Sequence, residues 1–98
     1  MYTIGKSTRQ NMRRRYIFSG RVQGIGFRYK AYHAANYLGL GGWVRNCYDG
    51  SVEMEVEGPE EKIDQLIMTL ENDRFIVIEN MSCKAIPEEG QSYFDYRD

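Results

Sequence analysis

Acidic residues are missing from the first half of this chain. Before Asp49 there is no Asp or Glu, whereas Lys6, Arg9, Arg13, Arg14, Arg15, Arg21, Arg28, Lys30 and Arg45 supply nine bases. Residues 49–98 hold all 14 acids against Lys62, Arg74, Lys84 and Arg97, so the halves carry +9 and −10 (4 − 14). A chain of 98 residues has room for one compact domain, which excludes separate basic and acidic domains. The halves must fold against each other and neutralise themselves, and any basic site left clear of acids attracts an anion. Cysteine is scarce too: Cys47 and Cys83 form no CxxC and no zinc set with the single histidine, His33. That excludes a structural metal and a disulfide scaffold and leaves free thiols. No apolar run reaches the roughly 18 to 20 residues of a membrane span, and residues 1–12 lack the apolar stretch of a signal peptide. A soluble, cytoplasmic protein is expected, with no membrane partner. Neither repeats nor low-complexity segments occur.

What is present is a globular composition, 42% hydrophobic and 28% charged, with changes of pattern that mark elements. Residues 1–12 are polar and aperiodic and read as a flexible tail preceding a domain over 13–98. Tyr16, Ile17 and Phe18 make 13–19 a strand, and the triple Arg13-Arg-Arg15 reads as its solvated start. After a loop with three glycines, Phe27, Ala31, Ala34, Ala35 and Leu38 recur at helical spacing up to Gly39, a suitable C′ residue. Residues 42–46 lead through Asp49-Gly50, a hairpin turn, into 51–57, where Val52, Met54 and Val56 should face the core and Glu53, Glu55 and Glu57 the solvent. Trp43 and Val44 read as core. Pro59, Glu60 and Glu61 open a second helix whose Ile63, Leu66, Ile67 and Leu70 share a face. A strand from 75 toward 84, and a short fifth over 92–97, complete the order. The spacing therefore predicts an α+β, ferredoxin-like βαββαβ sandwich, an antiparallel sheet with both helices on one face.

Six of ten glycines lie between positions 20 and 42, around the first helix. A glycine-rich strand-to-helix loop can turn successive N–H groups inward, and the helix N-terminus adds free donors and about half a positive charge. Arg28, in the first turn, is an unfavourable cation there unless an anion completes the site, and its planar fork suits phosphate. The known nucleotide loops do not fit: there is no GxxxxGK[ST], and Tyr29 stands where GxGxxG needs its third glycine. Asn46, where a strand ends at the hairpin, carries a donor and an acceptor and can fix a water. Its commoner role beside a turn is local backbone bonding. His33 lies more than a turn beyond the loop and reads as a surface residue. Cys47 should point away from Asn46, across the sheet.

Two blocks of these residues carry a resemblance. Gly20-Arg-Val-Gln-Gly-Ile-Gly-Phe-Arg28 resembles the acylphosphatase signature G-x-V-Q-G-V-x-F-R, with isoleucine for one valine. Gly42-Trp-Val-Arg-Asn-Cys-Tyr-Asp-Gly-Ser-Val-Glu53 is similar to that family's second block, G-W-V-R-N-x-x-D-G-x-V-E. The resemblance implies the same ferredoxin-like fold and an enzyme that hydrolyses acyl phosphates to carboxylate and inorganic phosphate. It implies that backbone amides of Gln23, Gly24, Ile25, Gly26, Phe27 and Arg28, with the Arg28 guanidinium, hold the phosphoryl group. Asn46 would orient the attacking water, and no metal or cofactor would be needed. A monomer with no nucleic-acid partner is expected. Two alternatives stay open: an RNA-binding ferredoxin-like module and a domain that binds phosphate without turnover.

Overall fold

The computed structural model describes residues 11–98, so residues 1–10 of the expected tail lie outside the described residues. Asn11 and Met12 already belong to a strand, β1 (Asn11–Arg21), and pair with Pro59 and Gly58. There follow α1 (Phe27–Tyr37), β2 (Gly41–Asn46), β3 (Val52–Pro59), α2 (Glu60–Glu71), β4 (Val77–Ile86) and β5 (Phe94–Arg97). They build one sheet in the order β4-β1-β3-β2-β5 with α1 and α2 on one face, a ferredoxin-like α+β fold with an added edge strand. Four strands pair antiparallel, but β5 lies parallel to β2, so the sheet is mixed rather than purely antiparallel. The cause is connectivity: the chain crosses from β4 at one edge to β5 at the other and returns in the direction of β2. Among the described residues no helix is long and apolar enough to cross a membrane.

The inner face follows the alternation of the strands. Tyr16 and Phe18 of β1, Val44 of β2, Val52, Met54 and Val56 of β3, and Phe94 of β5 are buried against Phe27, Ala31 and Ala35 of α1 and Ile63, Leu66, Ile67 and Leu70 of α2. Small residues on α1 let it approach the sheet, while the aliphatic stripe of α2 fills the remaining depth. Helix α1 closes with a Schellman motif: Leu40 donates to the Ala35 carbonyl at 2.9 Å and Gly39 to Asn36 at 3.1 Å. Strand β4 starts at Val77, later than the pattern suggested, because Asp73 accepts from the Phe75 amide at 2.8 Å and turns the chain there.

The outer face departs from expectation. Glu53 and Glu57 are almost fully buried, and Arg13, expected to be solvated, is 1% exposed. Strands β1 and β2 flank β3 on both sides and set bases beside its acids. Arg13 donates to Glu55 and Glu57, both at 2.9 Å, and to Gln91 at 3.2 Å. Glu53 lies between Arg15, at 2.5 Å, and Arg45, at 2.8 Å. The amides of Glu89 and Gly90 reach down to Glu57 at 2.9 and 2.8 Å, so the segment before β5 roofs this end of the sheet. Alternation correctly assigned these side chains to the second face but not their burial, since it carries no information about long side chains on neighbouring strands. Trp43 is likewise on this face, half-buried, with the Arg97 guanidinium 4.6 Å from its ring; only its neighbour Val44 is core.

Candidate active site

The loop between β1 and α1 is pinned at both ends by the core. Val22 and Phe27 are buried, and the Phe27 ring sits 5.0 Å from that of Phe18. Between them Gly24 and Gly26 take left-handed conformations, φ 77° and 84°, and a Cβ on Gly24 would touch nothing within 4 Å. Glycine is needed there for the backbone angle, not for space. Gly26 is the N-cap, with no side chain bonding the helix end and no acid in the first turn. The first helical bond runs from the Lys30 amide to the Gly26 carbonyl at 2.9 Å, which leaves the amides of Phe27, Arg28 and Tyr29 without an intrahelical acceptor.

These amides border a cavity of about 130 Å³ lined by Val22, Gly24, Gly26, Phe27, Arg28, Tyr29, Asn46 and Tyr96. The space is small and has room for a phosphate-sized oxyanion. Asn46 reaches it from the end of β2, and among the described residues no group bonds its carboxamide. The local backbone bond common beside turns is thus not what this side chain makes. Asp49 takes that part instead, accepting from the amide and hydroxyl of Ser51 at 3.0 and 2.6 Å, bonds that hold its carboxyl below the usual range.

Arg13, Arg14, Arg15, Lys30 and Arg45 each have a carboxylate within 3.0 Å. Arg28 does not: its nearest is Asp98, 3.7 Å away and fully exposed. Among the described bases of the first half, Arg21 and Arg28 are the two without a close carboxylate, and Arg28 is the one that lines the cavity. It is nevertheless held in place. Its Nη1 donates to the Arg97 carbonyl at 2.7 Å, and its guanidinium lies 4.7 Å from the centre of the Tyr96 ring. Tyr96 is a site residue that reading the sequence missed. It belongs to neither motif and comes from a strand whose partner could not be read.

Of the residues expected at the site, Gly24, Gly26, Phe27, Arg28 and Asn46 meet at the cavity. Ile25 turns to the core, and the Gln23 side chain goes to the hairpin, donating to the carbonyls of Cys47 and Ser51, both at 2.8 Å. Cys47 is partly buried in that hairpin and is not among the residues lining the cavity. His33 is exposed, its ring edge-on to Tyr29 at 4.3 Å, and faces a larger groove of about 790 Å³ between α1 and α2 that contains neither Arg28 nor Asn46. No cluster of His, Cys, Asp and Glu suited to a metal occurs among the described residues.

Known proteins resemble this chain in sequence and fold. The family model described as Acylphosphatase matches residues 14–96. The chain is 44% identical over 89 residues to the acylphosphatase of Koribacter versatilis, covering 89% of this chain and 81% of that one. It is 41% identical over 80 residues to that of Caldanaerobacter subterraneus, covering 81% and 88%. The crystal structure of acylphosphatase from Bacillus subtilis superposes with a TM-score of 0.83 at 35% identity, covering 89% of this chain and 99% of that chain.

Proposed function

The chain belongs to the acylphosphatase family, and we propose that its reaction runs in the small cavity at the start of α1, with Arg28 and Asn46 as the catalytic side chains. It is a hydrolase of acyl phosphates. The observation that carries the assignment of residues is that one space is lined by Phe27, Arg28 and Tyr29, whose amides the helix leaves without acceptors, by an arginine side chain whose ion pair is with the exposed Asp98, and by Asn46 with its unbonded carboxamide. In the proposed reaction the loop amides of 23–28 and the Arg28 fork hold the phosphoryl oxygens. Asn46 accepts a hydrogen bond from a water and aims its oxygen at phosphorus, opposite the leaving carboxylate. The O–P bond from water forms, the P–O bond to the acyl group breaks, and the water proton passes to a phosphoryl oxygen. The products are a carboxylate and inorganic phosphate. A loose transition state puts charge on the equatorial oxygens, where fixed donors act most strongly, and a carboxylate leaves without protonation. No strong base is needed.

We expect a monomer, in the cytoplasm, acting without cofactor, metal or nucleic acid. The test is phosphate release from benzoyl phosphate in EDTA. Wild-type turnover should persist there, Arg28→Ala should lose on the order of 100- to 1,000-fold or more, and Asn46→Ala should lose turnover while keeping its affinity for phosphate. Phosphate binding without hydrolysis by the wild type would make this a binding domain, and loss of activity in EDTA would contradict the metal-free reaction.

A further inference from the structure

We infer that the Gln23 side chain is a positioning residue that sets Asn46 against the phosphate loop. The inference rests on the reading of Asn46 given above and goes beyond it. Phosphate loop and water-binding residue stand on different elements, α1's leading loop and the end of β2, which share no strand pairing at the site. Gln23 bridges them. Its single amide nitrogen spends both hydrogens on backbone carbonyls, Cys47 and Ser51, at 2.8 Å each. Those residues are the two sides of the hairpin base, themselves joined by the Cys47 amide to the Ser51 carbonyl at 2.8 Å. Cys47 directly follows Asn46, and Val52, next to Ser51, is its cross-strand partner. A displacement of this hairpin relative to the loop therefore moves Asn46 relative to the phosphorus. Gln23 is not among the residues lining the cavity, so its side chain makes no direct contact with a phosphate held there, and the inferred route of its effect is the placement of Asn46. In-line attack is sensitive to such shifts: a misplacement of about 1 Å can cost on the order of 100-fold.

The test is a double-mutant cycle. Gln23→Met keeps length and shape and removes both donors; it should lower kcat by roughly 10- to 100-fold with the inhibition constant for inorganic phosphate within about twofold of wild type. In an Asn46→Ala background the same substitution should cost less than about twofold more, because the group it positions is gone. Unchanged kcat in a folded Gln23→Met protein, an equal loss in both backgrounds, or a phosphate constant rising in step with the loss of kcat would each overturn the inference. Full activity of Asn46→Ala alone would remove the water-positioning reading and this inference together, whereas an additive cycle removes only the inference. If Gln23→Met does not fold, the isosteric Gln23→Glu carries the test, with partial recovery of kcat as the pH is lowered and a protonated carboxyl donates again; no recovery would count against the inference.

Discussion

Arg28 is oriented by groups from a strand 69 residues further along, the carbonyl of Arg97 and the ring of Tyr96. A cation at the start of a helix meets an unfavourable dipole, so these contacts do what an acid would otherwise do, without neutralising it. Removing the ring should therefore loosen the fork while leaving its charge. Tyr96→Ala is expected to raise the phosphate inhibition constant by several-fold and to lower kcat/KM by about 10-fold; Tyr96→Phe should restore both, since the face of the ring makes the contact. Steady-state kinetics with benzoyl phosphate check it. Arg28 and Asn46 could be read from the chain because both lie in motifs whose spacing carries meaning. Tyr96 could not, because nothing local says that its strand ends beside the loop.

The loop and its helix act as one element. Gly26 caps α1 at φ 84°, and a Cβ there would have the Lys30 side chain 3.8 Å away and otherwise open space. Gly26→Ala thus isolates the backbone penalty, roughly 1 to 2 kcal/mol. For a domain of this size that corresponds to a fall in Tm of about 4 to 16 °C, measurable by calorimetry. The same strain should widen the ring of amides and weaken phosphate binding. Both helices were legible because their apolar stripes repeat at helical spacing over three turns, and the β2–β3 hairpin because Asp49-Gly50 and strict alternation agree. The start of β4 and the direction of β5 were not. The first depends on Asp73 capping a turn, and the second on a crossover, neither of which leaves a periodic trace.

At the scale of the molecule, the charge imbalance between halves is spent on both sides of the sheet: Arg13, Arg15 and Arg45 meet Glu53, Glu55 and Glu57 on the outer face, while Arg14 pairs with Glu60 and Asp64 of α2 and Lys30 of α1 with Asp73. Burial pushes the carboxyls of Glu53 and Glu57 up, but Arg15 and Arg45 on the first, and the Glu89 and Gly90 amides with Arg13 on the second, outweigh it and leave both below the usual glutamate value. Their contribution to stability is therefore complete above the unfolded value of about 4.3 and lost as pH falls through the lower folded values. Tm should be level from pH 7 to about 5 and drop below it, with a shallower drop in Glu53→Gln, followed by circular dichroism. Arg13→Met should destabilise by about 3 to 5 kcal/mol, because it leaves Glu57 buried beside no cation. The benzoyl phosphate kcat of whatever remains folded should stay near wild type. Arg13 and the phosphate loop sit at opposite ends of β1, roughly 25 Å apart at 3.3 Å per residue.

The position of β1 between β3 and β4 also governs how the chain is made. The strand bearing Tyr16 and Phe18 leaves the ribosome before any partner, and β4 follows only after α2. At roughly 5 to 20 residues per second, several seconds pass with that edge of β1 unpaired. The nascent chain, not the finished enzyme, is the form in which this sequence is most open to chaperones and to pairing with its neighbours on a polysome.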